Sequence, residues 1–145
     1  MTAPSGVLPD VLDLLPHRAP FLLIDRITAI DPGRRATGIK RITGDEWCMR
    51  GLPGPHFPAT LVLEALAQLS AGVMSGLADA PAGAVGYFMG LSNVKLRGEA
   101  RVGDDLELCC TLLQFRRGIC RTRGEAFVAG KRIVRADVTT IIRAP

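Results

Sequence analysis

Residues 59–78 read ATLVLEALAQLSAGVMSGLA, a stretch from Ala59 to Ala78 that is apolar on nearly every side of a helical wheel. A helix of that kind belongs either in lipid or in the middle of a protein. Glu64, Gln68, Ser70 and Ser75 interrupt it, and the rest of the chain decides between the two settings by supplying long strands with one apolar face. Leu106, Leu108, Cys110 and Leu112 alternate with Asp105, Glu107 and Thr111, and Val134, Ala136 and Val138 alternate with Arg135, Asp137 and Thr139. A period of two marks strands buried on one side. Such strands need something to wrap, and the helix is what they wrap. The expected class is α+β, an antiparallel sheet around one long central helix.

Working outward, Phe21 to Ile30 and Arg35 to Ile42 are β-rich runs joined by Asp31-Pro32-Gly33. Pro fixes φ there and Gly accepts a positive φ, so the two runs form a hairpin. After the helix come a short apolar run, Val85 to Leu91, then Val94 to Leu96 and a loop from Gly98 to Asp104. The last three strands span about Asp105 to Phe115, Ile119 to Val128 and Lys131 to Ile142. Their joints, Arg116-Arg117-Gly118 and Ala129-Gly130, are short and contain glycine, which favours a meander.

With 145 residues, 48% of them hydrophobic, and no internal repeat or low-complexity linker, the chain is expected to be one domain over 1–145 with its own core. Met1 to Asp10 has no Lys or Arg and carries two prolines, unlike a secretory signal, so the expected location is cytoplasmic. Cys48, Cys109, Cys110 and Cys120 lack the C-x-x-C spacing of zinc or redox sites and read as small buried or half-buried hydrophobes. No metal is expected. The formal charge of +4 comes from scattered basic residues with few aromatics, which argues against nucleic acid and fits an acidic protein partner.

Chemistry enters at the helix, where Glu64 and Gln68 stand four apart on one face, the only charged or amide side chains between Thr60 and Leu77. A lone carboxylate bound for a core is costly unless paired or used. Two readings stay open: Glu64 holds a loop backbone in register, or it works on a substrate.

Four motifs, in order, give the chain a resemblance to a known family. Leu14 to Arg26 (LLPHRAPFLLIDR), Leu63 to Gln68 (LEALAQ), Tyr87 to Leu91 (YFMGL) and Val102-Gly103-Asp104 resemble successive segments of the FabZ-type β-hydroxyacyl-acyl-carrier-protein dehydratases, with Val102 where proline is usual. The likeness covers about Leu12 to Ile142. It implies a hot-dog fold, a dimer with sites at the subunit interface, no cofactor, and loss of water from a (3R)-hydroxyacyl thioester. In such enzymes a histidine removes the α-proton, a glutamate of the other subunit protonates the departing hydroxyl, and N–H groups at the helix start polarise the thioester carbonyl. Glu64 matches the family glutamate and Gln68 the glutamine one turn later.

The histidine is where this sequence departs. The family pattern G-H-F-P-G-x-P-x-x-P-G-x-L-x-x-E puts the imidazole fourteen residues before the glutamate, and here that position is Arg50. One alignment sets Gly51 to Pro55 against the first half with two single deletions, so the family histidine is lost and His56 replaces an apolar loop residue. The other sets His56-Phe57-Pro58-Ala59 against H-F-P-G and deletes the next six residues. The first keeps both proline turns and is preferred for the backbone. His56 still lies just before the helix, about 7 Å of axial rise from Glu64, within reach of the same pocket. His17, in the opening motif, reads as structural.

The expected site is therefore Glu64 with His56 as catalytic pair, and Ala59, Thr60, Gln68, Phe88, Met89 and Gly90 around the substrate. The acyl tail is expected in a tunnel lined by residues such as Leu61, Leu66, Phe88 and Met89, beside the small Ala65 and Ala67. The resemblance implies an acyl carrier protein or another acyl thioester as partner, and a homodimer, higher homo-oligomer or half of a heterodimer. Arg97, Arg101, Arg116 and Arg117 are candidates to steer the acidic carrier. The alternatives are a non-catalytic acyl-binding or stabilising subunit and an acyl-thioesterase in which Glu64 activates water, since fold alone does not fix chemistry.

Overall fold

The computed structural model describes residues 6–145. Its elements are α1 (Val11–Leu14), β1 (Arg26–Asp31), β2 (Arg35–Arg41), a 3-10 turn (Trp47–Met49), β3 (His56–Phe57), α2 (Ala59–Met74), β4 (Val85–Leu96), β5 (Ala100–Arg101), β6 (Asp105–Arg116), β7 (Ile119–Val128) and β8 (Lys131–Arg143). Six strands form one antiparallel sheet in the order β1-β2-β6-β7-β8-β4, and β3 pairs separately with β5. The sheet wraps α2, as the alternating strands require.

The helix approaches closely because glycine faces it. A Cβ at Gly124 of β7 would stand 3.0 Å from Leu66 Cβ. Val62, Ala65, Leu66, Leu69 and Val73 are thereby fully buried, together with Leu106, Leu108 and Cys110 of β6. The Cys110 thiol donates to the Leu66 carbonyl at 3.2 Å. Burial pushes the Cys110 thiol well up and that of Cys120 up to about 11. Cys109, Cys110 and Cys120 are buried and Cys48 half-buried, as their spacing led us to expect. No helix among the described residues is long and apolar enough to cross a membrane.

Four boundaries differ from the sequence reading, each for a local reason. The first strand starts at Arg26 rather than Phe21, because Phe21 to Ile24 is held by a side chain instead of a ladder: Leu23 N–H donates to Gln68 Oε1 at 3.0 Å, and Gln68 Nε2 donates to the Phe21 carbonyl at 2.9 Å. The helix ends at Met74, not Ala78, because Gly76 packs directly on Pro32 in the β1–β2 turn and Gly33 N–H caps the Val73 carbonyl at 3.1 Å. Val85 to Leu96 is one strand, not two. The Ser92-Asn93 break is a bulge against β8, with Asn93 at φ 52°. Within the expected loop Gly98 to Asp104 lies β5, which pairs His56 with Arg101 and Phe57 with Ala100.

Candidate active site

The helix α2 presents two faces to two cavities. Glu64, Ala67, Gln68 and Ala71 share one side of the 3.6-residue turn, while Ala59 and Val62 lie on roughly the opposite side. The first four line a cavity of about 540 Å³ that continues past Met74 and Ser75 to Leu77 and the Ala80–Ala84 segment, with Gly86 and Phe88 of β4 and Thr140 and Ile142 of β8 as its other wall. From Glu64 to Ser75 the helix rises about 16 Å, so this cavity is long, with Glu64 and His17 at its head.

Glu64 is half-buried and held in place. Gln68 Nε2 donates to Glu64 Oε1 at 3.0 Å, and His17 Nε2 stands 3.8 Å from the same oxygen. His17 is brought there by Arg18, whose guanidinium donates to the carbonyls of Leu12, Leu15 and His17 at 3.2, 2.8 and 2.8 Å and folds the segment back on α1. His17, expected to be structural, is the imidazole beside Glu64.

His56 is on the other side. It lines a second cavity of about 350 Å³ with Pro53, Gly54, Pro58, Ala59, Val62, Glu99 and Ala100, among others. Its Nδ1 stands 3.0 Å from Glu99 Oε2. This cavity abuts the start of α2, where Pro58 has no side-chain cap to offer and its carbonyl takes Leu61 and Val62 N–H. The N–H groups of Ala59 and Thr60 are left without an intrahelical acceptor. Within one chain, then, His56 and Glu64 do not share a pocket, contrary to the estimate from axial rise, because the ladder with β5 draws His56 to the far side of the helix. Arg50, at the family histidine position, is exposed and lines neither cavity.

The remaining candidates divide. Gln68 and Phe88 line the long cavity and Ala59 the smaller one. Thr60 and Met89 are exposed, Gly90 is half-buried, and none of the three lines either cavity. The tunnel wall needs correction. Leu66 points into the core against β7 and Leu61 packs on that core, so the lining face of α2 is Glu64, Ala67, Gln68, Ala71 and Met74. The four arginines do not form one patch either. Arg97 N–H pairs with Ile133 near the start of β8, whereas Arg116 and Arg117 sit at the β6–β7 turn by Ile141, roughly 25 Å further along the strand.

A long buried helix wrapped by an antiparallel sheet defines a hot-dog domain, here with a glutamate at the head of a cavity beside the helix. The FabA-like domain model matches residues 15–137. The 3-hydroxyacyl-acyl-carrier-protein dehydratase FabZ of Syntrophotalea carbinolica is 40% identical over 134 residues, covering 91% of this chain and 91% of that one. The FabZ of Bacillus subtilis is 35% identical over 131 residues, 89% of this chain and 92% of the other. Among solved structures, the dehydratase heterocomplex ApeI:P from Xenorhabdus doucetiae superposes with a TM-score of 0.75 at 21% identity, over 95% of this chain and 93% of that one. The acetyl-CoA-bound smu.793 of Streptococcus mutans superposes at 0.69 and 12% identity, over 90% and 96%. The chain belongs to the FabA-like family, in its FabZ-type dehydratase branch.

Proposed function

We propose that this protein removes water from a (3R)-hydroxyacyl thioester borne by an acyl carrier protein, giving the trans-2-enoyl thioester. The observation that carries the reading is Glu64, held by Gln68 through one oxygen at the head of an acyl-sized cavity. In the reaction a base takes the α-proton, the Cα electrons form the double bond, and the C3–O bond breaks as the hydroxyl leaves with a proton from Glu64. The base is His56 of the other subunit, and the unpaired N–H groups of Ala59 and Thr60 beside that histidine receive the charge developing on the thioester oxygen.

Edge strand β4 supports a site shared in this way. If two copies pair β4 antiparallel about a two-fold, the Val85–Phe88 end, which walls the Glu64 cavity, meets the partner's Leu96 end, which leads into Gly98 and Glu99 of the His56 cavity. Two cavities on opposite sides of one helix then become two composite sites per dimer. A cytoplasmic homodimer forming one hot-dog domain per chain accords with this chemistry.

A second reading has its own observation: His17, 3.8 Å from Glu64, is a base available within one chain. The deciding experiment gives the purified protein a 3-hydroxyacyl carrier substrate and follows enoyl product and free acid. Enoyl product that falls about 10²- to 10⁴-fold in both Glu64→Gln and His56→Ala is expected. Loss in His17→Asn with full activity in His56→Ala transfers the base to His17. Free acid as the main product means a thioesterase, and no turnover by the wild type means a stabilising subunit.

A further inference from the structure

His56 leaves the backbone at a place fixed by the β3–β5 ladder, and the residue just before β5 is Glu99. Its Oε2 stands 3.0 Å from His56 Nδ1. That nitrogen is shielded from solvent and makes no aligned hydrogen bond in the structure, so a small turn of the exposed Glu99 carboxylate is enough to give its proton an acceptor. At the other edge of the ring the neighbour is Gly54. A Cβ there would stand 3.3 Å from His56 Cδ2 and 3.8 Å from Nε2, so the absent side chain keeps the Nε2 edge clear.

The charged groups around the ring are few. Arg101, opposite His56 in the ladder, stands 3.6 Å from the same Glu99 oxygen as an exposed ion pair. The rest of the cavity wall, from Leu52 to Val62 and at Ile133 and Val134, contributes no other charged residue, and the Lys40–Glu46 pair lies beyond the Phe57 ring.

We propose that Glu99 is a positioning residue for His56: its carboxylate accepts a hydrogen bond from Nδ1–H of the neutral imidazole, keeps the proton on that nitrogen and leaves Nε2 as the bare acceptor beside Gly54. A neutral imidazole carries one proton on one of two nitrogens, and a carboxylate at Nδ1 selects between them. The ring with its proton on Nε2 cannot accept an α-proton there. Once the proton has arrived, the imidazolium lies against a negative charge. The proposal rests on the reading of His56 as the base, and it adds a residue that neither the helix motif nor the histidine loop contains.

The chain has two histidines, so ¹⁵N spectra of the full-length protein, with His17→Asn for assignment, read the His56 tautomer directly and without any turnover. Above the pH at which the ring is charged, wild-type His56 should carry its proton on Nδ1, and Glu99→Ala should move the balance toward Nε2–H. The same variant should lower kcat at least about tenfold, part of the 10² to 10⁴ a general base contributes, with KM nearly unchanged. Glu99 is exposed, so the variant folds, which circular dichroism verifies. A wild-type ring already protonated on Nε2, or a tautomer ratio that Glu99→Ala does not move, overturns the role of Glu99 whatever the activity. Full activity in His56→Ala overturns the base assignment instead, and the spectra separate the two failures.

Discussion

Gln68 illustrates how one amide can settle the setting of several residues at once. Its oxygen holds Leu23, and its nitrogen is shared between the Phe21 carbonyl and Glu64 Oε1. Both Gln68 and His17 contact Glu64 at Oε1, which leaves Oε2 for a ligand. Next to it Ala67 is a small residue on the cavity wall, so Ala67→Trp should fill the channel and weaken acyl binding at least about tenfold. Titration with an acyl-pantetheine checks it, and a melting temperature near that of the wild type shows that the fold survives. On the outer face of the sheet, Asp137 is 1% exposed and takes Arg123 Nε at 2.8 Å and Asn93 Nδ2 at 2.8 Å. The Arg123 hydrogen bond holds its carboxyl below the usual range against the opposing effect of burial. A depressed carboxyl contributes stability that is fully present above its unfolded value, about 3.9, and is lost as the pH falls through its folded value. Asp137→Asn should therefore cost roughly 1–3 kcal/mol at pH 7, and urea unfolding repeated in acid should find the gap to the wild type narrowing below about pH 4. Residues at this scale were unevenly legible. Glu64 and Gln68 stood out because nothing else polar shares their turn of helix, whereas His17 reaches Glu64 only through the Arg18 fold-back, and Glu99 meets His56 across 43 residues of chain.

Elements were read most securely where a pattern repeats. The alternation in β6 and β8 and the all-round apolar α2 gave sheet and helix, because burial on one face or on all faces leaves a period in the sequence. Ends left no such mark. The apolar run Phe21 to Ile24 looks like a strand in composition, yet its backbone partners are the amide of Gln68, a tertiary fact. The end of α2 is set by contact with another turn. A Cβ at Gly76 would fall well inside contact distance of Pro32 and of the Gly33 backbone, neither of which is a flexible side-chain tip. Gly76→Ala is thus expected to cost about 1–3 kcal/mol by overpacking, where an exposed helix-end glycine would lose little or gain on the same change. Denaturant unfolding decides it, and a variant as stable as the wild type means the turn yields.

For the whole molecule, the unresolved demand is strand β4. It is the longer of the two edges of the six-stranded sheet, twelve residues against six in β1, and Tyr87, Phe88, Met89 and Leu96 are each more than half exposed. A long apolar edge with free N–H and C=O groups pairs with something, and a second copy related by a two-fold satisfies both strands at once. Light scattering at micromolar concentration should accordingly give at least twice the 15.5 kDa chain mass, and Met89→Lys with Leu91→Lys should lower the mass and the activity together. The arrangement of the sites gives a stricter test. If each site takes Glu64 from one chain and His56 from the other, then inactive Glu64→Gln and inactive His56→Ala proteins, mixed and allowed to exchange subunits, form heterodimers in which one site carries both defects and the other carries neither. Random exchange makes half of the dimers mixed, so the mixture should recover about a quarter of wild-type activity per chain. Sites that each draw Glu64 and His56 from one chain predict a different result: every site in every mixed dimer then keeps the defect of its own chain, and mixing restores nothing, while a base at His17 is already excluded when His56→Ala is inactive.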